Sequence, residues 1–196
     1  MPAIDAPLLF RIFTGLLLAM QTLSRLWMTR NKQQGGDSRF THRSREQFFI
    51  RLTGGAMVLA YLYAVLPDTA SLDFFLPDAL RWTGAALMLA GNILFILAYL
   101  QLGRQWSPEL EIQPGHQLVI RGIYRVIRHP MYTGFLVFGL GLVFLSANLF
   151  GCVYLPAVAA MIITRLPSEE QLLTEEFGEE YLEYMRSTSA LIPGIF

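Results

Sequence analysis

The chain has 196 residues, 15 basic and 15 acidic, and a formal net charge of zero. Hydrophobic residues make up 54% and charged ones 15%, against about 25% charged in a soluble domain, so an ordinary water-soluble fold is excluded. The neutral balance offers no field for nucleic acid. One cysteine, Cys152, rules out a disulfide framework or a multi-cysteine zinc site, and three histidines do not make a metal cluster, so no metal is expected.

A membrane crossing needs about 20 mostly apolar residues. The sequence offers five such stretches, which predicts an all-α, polytopic membrane protein of one domain. The first covers about 7–28, with Arg11 and Arg25 near its ends. Its length, the lack of a basic segment before it and the lack of an Ala-x-Ala site after it favour a mature helix over a signal peptide. The second covers about 48–66 and the third about 80–103. Residues 132–164 carry no charge and are too many for one span. Ser146-Ala147-Asn148 divides them into a hairpin, 131–146 and 149–165, the second arm bent at Pro156. Gly54, Gly55, Gly84, Gly91 and the pair Ala86/Ala90 are small residues expected at close helix contacts.

Loop charges predict the orientation. Arg30, Lys32, Arg39, Arg43 and Arg45 follow the first span, and Arg104, Arg121, Arg125 and Arg128 follow the third. Asp68, Asp73 and Asp78 lie between the second and third. Basic loops stay in the cytoplasm, which puts the N-terminus outside and, after five crossings, the C-terminus inside. The loop 104–130 and the tail 166–196 then share the cytoplasmic side.

The tail carries its own pattern. Pro167 precedes Ser168-Glu169-Glu170-Gln171, which reads as a capping box starting a new helix. Leu173, Phe177, Tyr181 and Tyr184 recur at helical spacing, and Glu175, Glu179, Glu183 and Arg186 lie opposite, so an amphipathic cytoplasmic helix is expected, broken near Gly178. The expected stop at Leu166-Pro167 would turn Arg165 and Glu170 towards one pocket.

Two clusters carry chemistry. The loop packs His116, Arg121, Tyr124, Arg125, Arg128, His129 and Tyr132 close together, and Pro130 suits the first turn of a helix, leaving His129 near its N-cap. Free N–H groups there can hold an electron-rich ligand. A basic anchor with interfacial tyrosines accounts for the same residues. The second cluster is Arg165, Glu169 and Glu170, which a snorkelling arginine and a helix dipole also explain.

Taken together, the clusters resemble a known family. The run His116-x-Leu118-Val119-x-x-Gly122-Ile123-Tyr124-x-x-Ile127-Arg128-His129-Pro130-Met131-Tyr132, the apolar hairpin, and the stretches 165–173 and 177–184 resemble the isoprenylcysteine carboxyl methyltransferase family. The resemblance covers roughly the last hundred residues. Arg-His-Pro-x-Tyr alone also occurs in membrane sterol reductases. The resemblance implies an integral membrane methyltransferase that uses S-adenosylmethionine. Carried over residue by residue, it implies a cofactor pocket of His116, Leu118, Val119, Gly122, Tyr124, His129, Pro130, Tyr132, Glu169 and Glu170, with Arg165 and Glu170 catalytic. The implied acceptor is a lipid-like or lipidated carboxylate such as a prenylcysteine C-terminus. Such a carboxylate is ionised at neutral pH and needs no general base, so catalysis becomes positioning, with Arg165 aligning the acceptor. A phospholipid amine, a thiol or a phenolic lipid as acceptor, a sterol-type reductase and a non-catalytic binding protein are the competing readings. The short length points to the family's prokaryotic branch and a plasma membrane. The expected partners are the bilayer and a lipophilic or lipidated substrate.

Overall fold

A computed structural model describes residues 5–31, 43–107, 115 and 117–194, the side chains of 43–46 and 104 excepted. Seven helices follow in order among the described residues: α1 (Ala6–Arg30), α2 (Arg43–Val65), α3 (Asp78–Leu102), α4 (Pro130–Ser146), α5 (Leu149–Cys152), α6 (Tyr154–Phe177) and α7 (Glu179–Ser187). Four helices are long and apolar enough to cross a bilayer: Ala6–Arg30, Gln47–Val65, Asp78–Leu102 and the bent Leu149–Phe177. The chain is therefore a multi-pass membrane protein. The remaining apolar helix, α4, has 17 residues and reaches about 26 Å at 1.5 Å per residue, short of a hydrocarbon core of about 30 Å.

The centre of the bundle is the antiparallel pair α3 and α4, and glycine spacing explains its closeness. Gly84 and Gly91 on α3 face Gly141 and Gly134 on α4. A Cβ at Gly84 would stand 2.6 Å from the Gly141 carbonyl, and one at Gly91 2.6 Å from that of Gly134. Met88, Phe95, Phe138, Leu142 and Leu145 fill the seam around them. The other small residues behave differently. A Cβ at Gly54 or Gly55 would meet nothing within 4 Å, and Ala86 and Ala90 are exposed. Those four face away from the bundle, towards lipid.

The predicted hairpin forms where expected. Ala147 takes a left-handed φ of 46°, and the Asn148 side chain accepts from the Phe150 N–H at 2.8 Å to start α5. The bend in the second arm falls at Val153, because Pro156 has no N–H for the carbonyl of Cys152.

One expectation fails. No helix starts at Ser168: α6 runs unbroken through Pro167 to Phe177. The capping box does not form, and Gln171 donates instead to Glu175 at 2.8 Å. The true stop is Gly178, at φ 58°, after which α7 continues the amphipathic pattern. Tyr181 and Tyr184 are buried, Leu173 and Phe177 half-buried, and Glu175, Glu179, Glu183 and Arg186 exposed. The stripe is real, but two helices share it.

Candidate active site

The start of α4, the far end of α6 and α7 meet at one end of the bundle. Pro130 occupies the first turn of α4, where its fixed φ and missing N–H cost nothing. The backbone N–H groups just before it donate to a downstream segment: Arg128 to Ser189 at 2.9 Å and His129 to Ala190 at 3.0 Å. The Thr133 hydroxyl donates to the Leu191 carbonyl at 2.7 Å. Residues 189–191 thus strap the beginning of α4 in place.

Side chains of this corner form one charged network. The His129 side chain is 3% exposed, with Nδ1 3.6 Å from Glu169 Oε1 and Nε2 3.3 Å from Glu170 Oε1. Glu170 Oε1 also accepts from Arg128 Nε at 3.0 Å and Nη2 at 2.9 Å. Arg128 Nη1 donates to the carbonyls of Met185 and Thr188. Glu169 accepts from the Tyr132 hydroxyl, and its Oε2 lies 3.9 Å from Arg165 Nε. Burial alone would push His129 towards its neutral form. The hydrogen bonds and charges of Glu169 and Glu170 outweigh this and hold the imidazole above its ordinary value of 6.5. Only the doubly protonated ring can donate to both carboxylates.

The continuity of α6 separates the residues expected to work together. Arg165 and Glu169 are one turn apart and pair, whereas Glu170 points to Arg128 and His129. A helix break at Leu166-Pro167 would have brought Arg165 and Glu170 to one pocket, and that break is absent.

A cavity of about 390 Å³ opens beside the network, within the range of about 300–1,000 Å³ usual for small-molecule sites. Leu118, Val119, Tyr124, His129, Pro130, Tyr132, Arg165 and Glu169, all named from the sequence, line it. Gly122 and Glu170 do not. Gly122 sits at φ 62° with a Cβ position 2.2 Å from Gln101 Oε1, so its lack of a side chain lets Gln101 accept from the Ile123 N–H at 2.7 Å. His116 lies outside the described residues.

Several lining residues were not among the site residues expected from the sequence: Arg25, Arg128, Leu172, Leu173, Tyr181 and Tyr184. The two tyrosines stood only as part of a stripe. A tyrosine rather than leucine at a buried position was the available signal, since its hydroxyl needs a partner. Tyr184 finds one in the Tyr124 carbonyl, and burial holds its hydroxyl up at about 12. The Tyr181 hydroxyl is buried and has no hydrogen-bond partner among the described residues. That orphaned donor fits a polar ligand in the cavity.

The donor set also fits S-adenosylmethionine. Glu169 suits its ammonium or ribose hydroxyls, the Arg128–His129 corner its carboxylate, and the Tyr124 and Tyr132 rings its cationic centre. Leu118, Val119, Leu172 and Leu173 offer an apolar wall for a base.

Comparison with known proteins agrees with the geometry. A sequence model of the isoprenylcysteine carboxyl methyltransferase family matches residues 84–175. The chain is 30% identical over 142 residues to protein-S-isoprenylcysteine O-methyltransferase B of Arabidopsis thaliana, covering 69% of this chain and 72% of that protein. It is 31% identical over 146 residues to a probable protein-S-isoprenylcysteine O-methyltransferase of Oryza sativa subsp. japonica, covering 70% and 76%. A solved structure of the eukaryotic intramembrane Ras methyltransferase shares its fold with a TM-score of 0.54 at 22% identity, covering 80% of this chain and 55% of that one. Matching at this identity over more than two thirds of both chains, the protein belongs to the isoprenylcysteine carboxyl methyltransferase family of integral membrane methyltransferases.

Proposed function

We propose that this protein transfers the methyl group of S-adenosylmethionine to the carboxylate of a lipidated acceptor, a prenylcysteine C-terminus. The observation that carries the reading is the shared cavity of Arg165, Glu169 and the orphaned Tyr181 hydroxyl. S-adenosylmethionine, when bound, supplies the electrophilic methyl group. Glu169, His129, Tyr181 and the tyrosine rings bind and orient it. Arg165 orients the acceptor carboxylate, its own position fixed by Glu169. Both ends of the reaction need only alignment and exclusion of water, because the acceptor is already ionised. Glu170 acts one step back, holding Arg128 and His129. The apolar lining from Phe95, Phe135 and Met161 suits the lipid portion of the acceptor.

The proposal includes an orientation. With the basic loops inside, α4 counts as a fifth crossing, the N-terminus lies outside, and the cavity opens at the cytoplasmic face. The relatives the chain matches are eukaryotic proteins, so the prokaryotic plasma membrane expected from length forms no part of the proposal.

The test is a labelled-methyl assay across an acceptor panel: an S-prenylated N-acylcysteine, a phosphatidylethanolamine, a lipophilic thiol and a phenolic lipid. Titrations with S-adenosylhomocysteine and a reduced nicotinamide run alongside. Methyl transfer to the prenylated acid with binding of S-adenosylhomocysteine alone is expected. Preference for the amine, or nicotinamide binding, refutes the reading. His129→Ala and Tyr124→Ala should each weaken S-adenosylhomocysteine binding at least about fivefold, or about 1 kcal/mol. Unchanged affinity in both removes the cofactor site from this cavity.

A further inference from the structure

Arg25 lines the same cavity as Arg165 but comes from a different helix, α1. The charge sits within the last third of the membrane helix α1, where an ionisable residue calls for a functional explanation. Simple anchorage would send the side chain past the helix end towards the headgroups. Instead the guanidinium lies 5.5 Å from the centre of the Phe135 ring on α4, across the cavity wall, a cation–π contact that turns it inward.

Comparison with the other arginines of the spans sharpens the point. Arg11 donates to the carbonyls of Tyr63 and Leu66. Arg81 donates to Leu145, Ser146 and the Tyr63 hydroxyl. Both are hydrogen-bonded to the backbone and serve the opposite end of the bundle. Arg25 has no hydrogen-bond or ion-pair partner among the described residues. It lies within electrostatic reach of Arg165, and the carboxylate on that side, Glu169, already serves Arg165, His129 and Tyr132. Two guanidinium groups therefore line one cavity, and Arg25 brings to it no carboxylate of its own among the described residues.

We propose that Arg25 is an acceptor-binding residue, which receives the acceptor carboxylate from the α1 side while Arg165 orients it from α6. This assignment rests on the methyltransferase reading above. It adds a residue outside the 84–175 segment that defines the family match. It also gives the cavity a preference: an anionic acceptor is attracted, and a neutral or cationic one is not.

The test reads acceptor binding without turnover first, and the acceptor KM in a separate methyl-transfer assay. Purified protein saturated with S-adenosylhomocysteine is titrated with an S-prenylated N-acylcysteine and with its neutral carboxamide. Wild type should bind the acid at least about tenfold more tightly. Arg25→Gln should reduce that preference to within about threefold and raise the acceptor KM at least about tenfold, while S-adenosylhomocysteine affinity stays within about twofold. Arg25→Lys keeps the charge but loses the fork and the ring contact, so its acceptor KM should rise at least about threefold. Should Arg25→Gln fail to fold, the lysine variant decides alone. An acid preference retained in Arg25→Gln, an unchanged KM in Arg25→Lys, or a parallel loss of S-adenosylhomocysteine binding each overturns the assignment. If wild type methylates no acid yet prefers it to the carboxamide through Arg25, the functional reading fails and the binding role stands.

Discussion

Glu170→Gln separates the role of a strut from that of a catalyst. Glu170 Oε1 accepts two bonds from Arg128, at 3.0 and 2.9 Å, and one from His129 at 3.3 Å. The Arg128 and Glu170 side chains are 8% and 20% exposed, so water screens the pair weakly. A hydrogen bond to a charged group contributes about 1.5–3 kcal/mol. Glutamine keeps an acceptor oxygen but no charge, and Arg128 retains its bonds to Met185 and Thr188. The loss should therefore be about 2 kcal/mol, towards the lower end of that range. For a chain of this size that lowers Tm by about 4–8 °C. The assay is thermal unfolding of detergent-purified protein for wild type, Glu170→Gln, Arg128→Gln and the double variant. A coupling below about 0.5 kcal/mol would show the two residues to be independent. Methyl transfer on the folded fraction should fall further in Glu169→Gln than in Glu170→Gln. An unchanged Tm with methyl transfer abolished in Glu170→Gln would return that residue to the chemistry and refute the strut.

Four further outcomes are expected. Arg165→Lys should lose methyl transfer at least tenfold, about 1.4 kcal/mol of barrier, because an ammonium cannot orient a carboxylate through two parallel bonds; a rate matching wild type reduces Arg165 to an anchor. Gly91→Ala should cost about 1–3 kcal/mol by unfolding, since the new Cβ meets backbone at 2.6 Å and one of the helices α3 and α4 must shift. His129 has its folded pKa raised above 6.5, so its contribution is complete below that value and fades as pH rises through the folded value; Tm should drop as pH rises above 6.5, and His129→Asn should flatten that drop. Cys152→Ser should keep most methyl transfer, because Cys152 lies on α5, outside the residues lining the cavity; a folded but inactive variant contradicts this.

Four helices of spanning length were legible because apolar length is a local property. The hairpin at Ser146-Ala147-Asn148 and the stop at Gly178 were legible for the same reason. Pro167 misled because its local preference is strong: a proline followed by Ser-Glu-Glu-Gln reads as a helix start. Tertiary bonds override it here, since Glu169 and Glu170 are held by Tyr132, His129 and Arg128 in positions that only a continuous α6 supplies. The cavity residues on 116–132 were legible through motif, but the division of labour between Glu169 and Glu170 was not, because adjacent positions on a helix face about 100° apart and only the partners decide which faces inward. The glycine seam was half legible. Gly84 and Gly91 repeat every seven residues, as Gly134 and Gly141 do, whereas Gly54, Gly55, Ala86 and Ala90 have the same small size and face lipid.

The strap of residues 189–191 bears on how the protein is made. The N–H groups of Arg128 and His129 and the Thr133 hydroxyl find their carbonyl partners in it, 58 to 61 residues downstream. During synthesis α4 therefore enters the membrane with its polar threshold undocked, and the ligand-binding corner stays open until the segment after α7 has left the ribosome. Insertion and acquisition of the binding site become separate events, the first set by hydropathy and the second by a late zippering at the membrane surface. A nascent chain stalled between the two would be correctly threaded through the bilayer and still unable to hold its ligand.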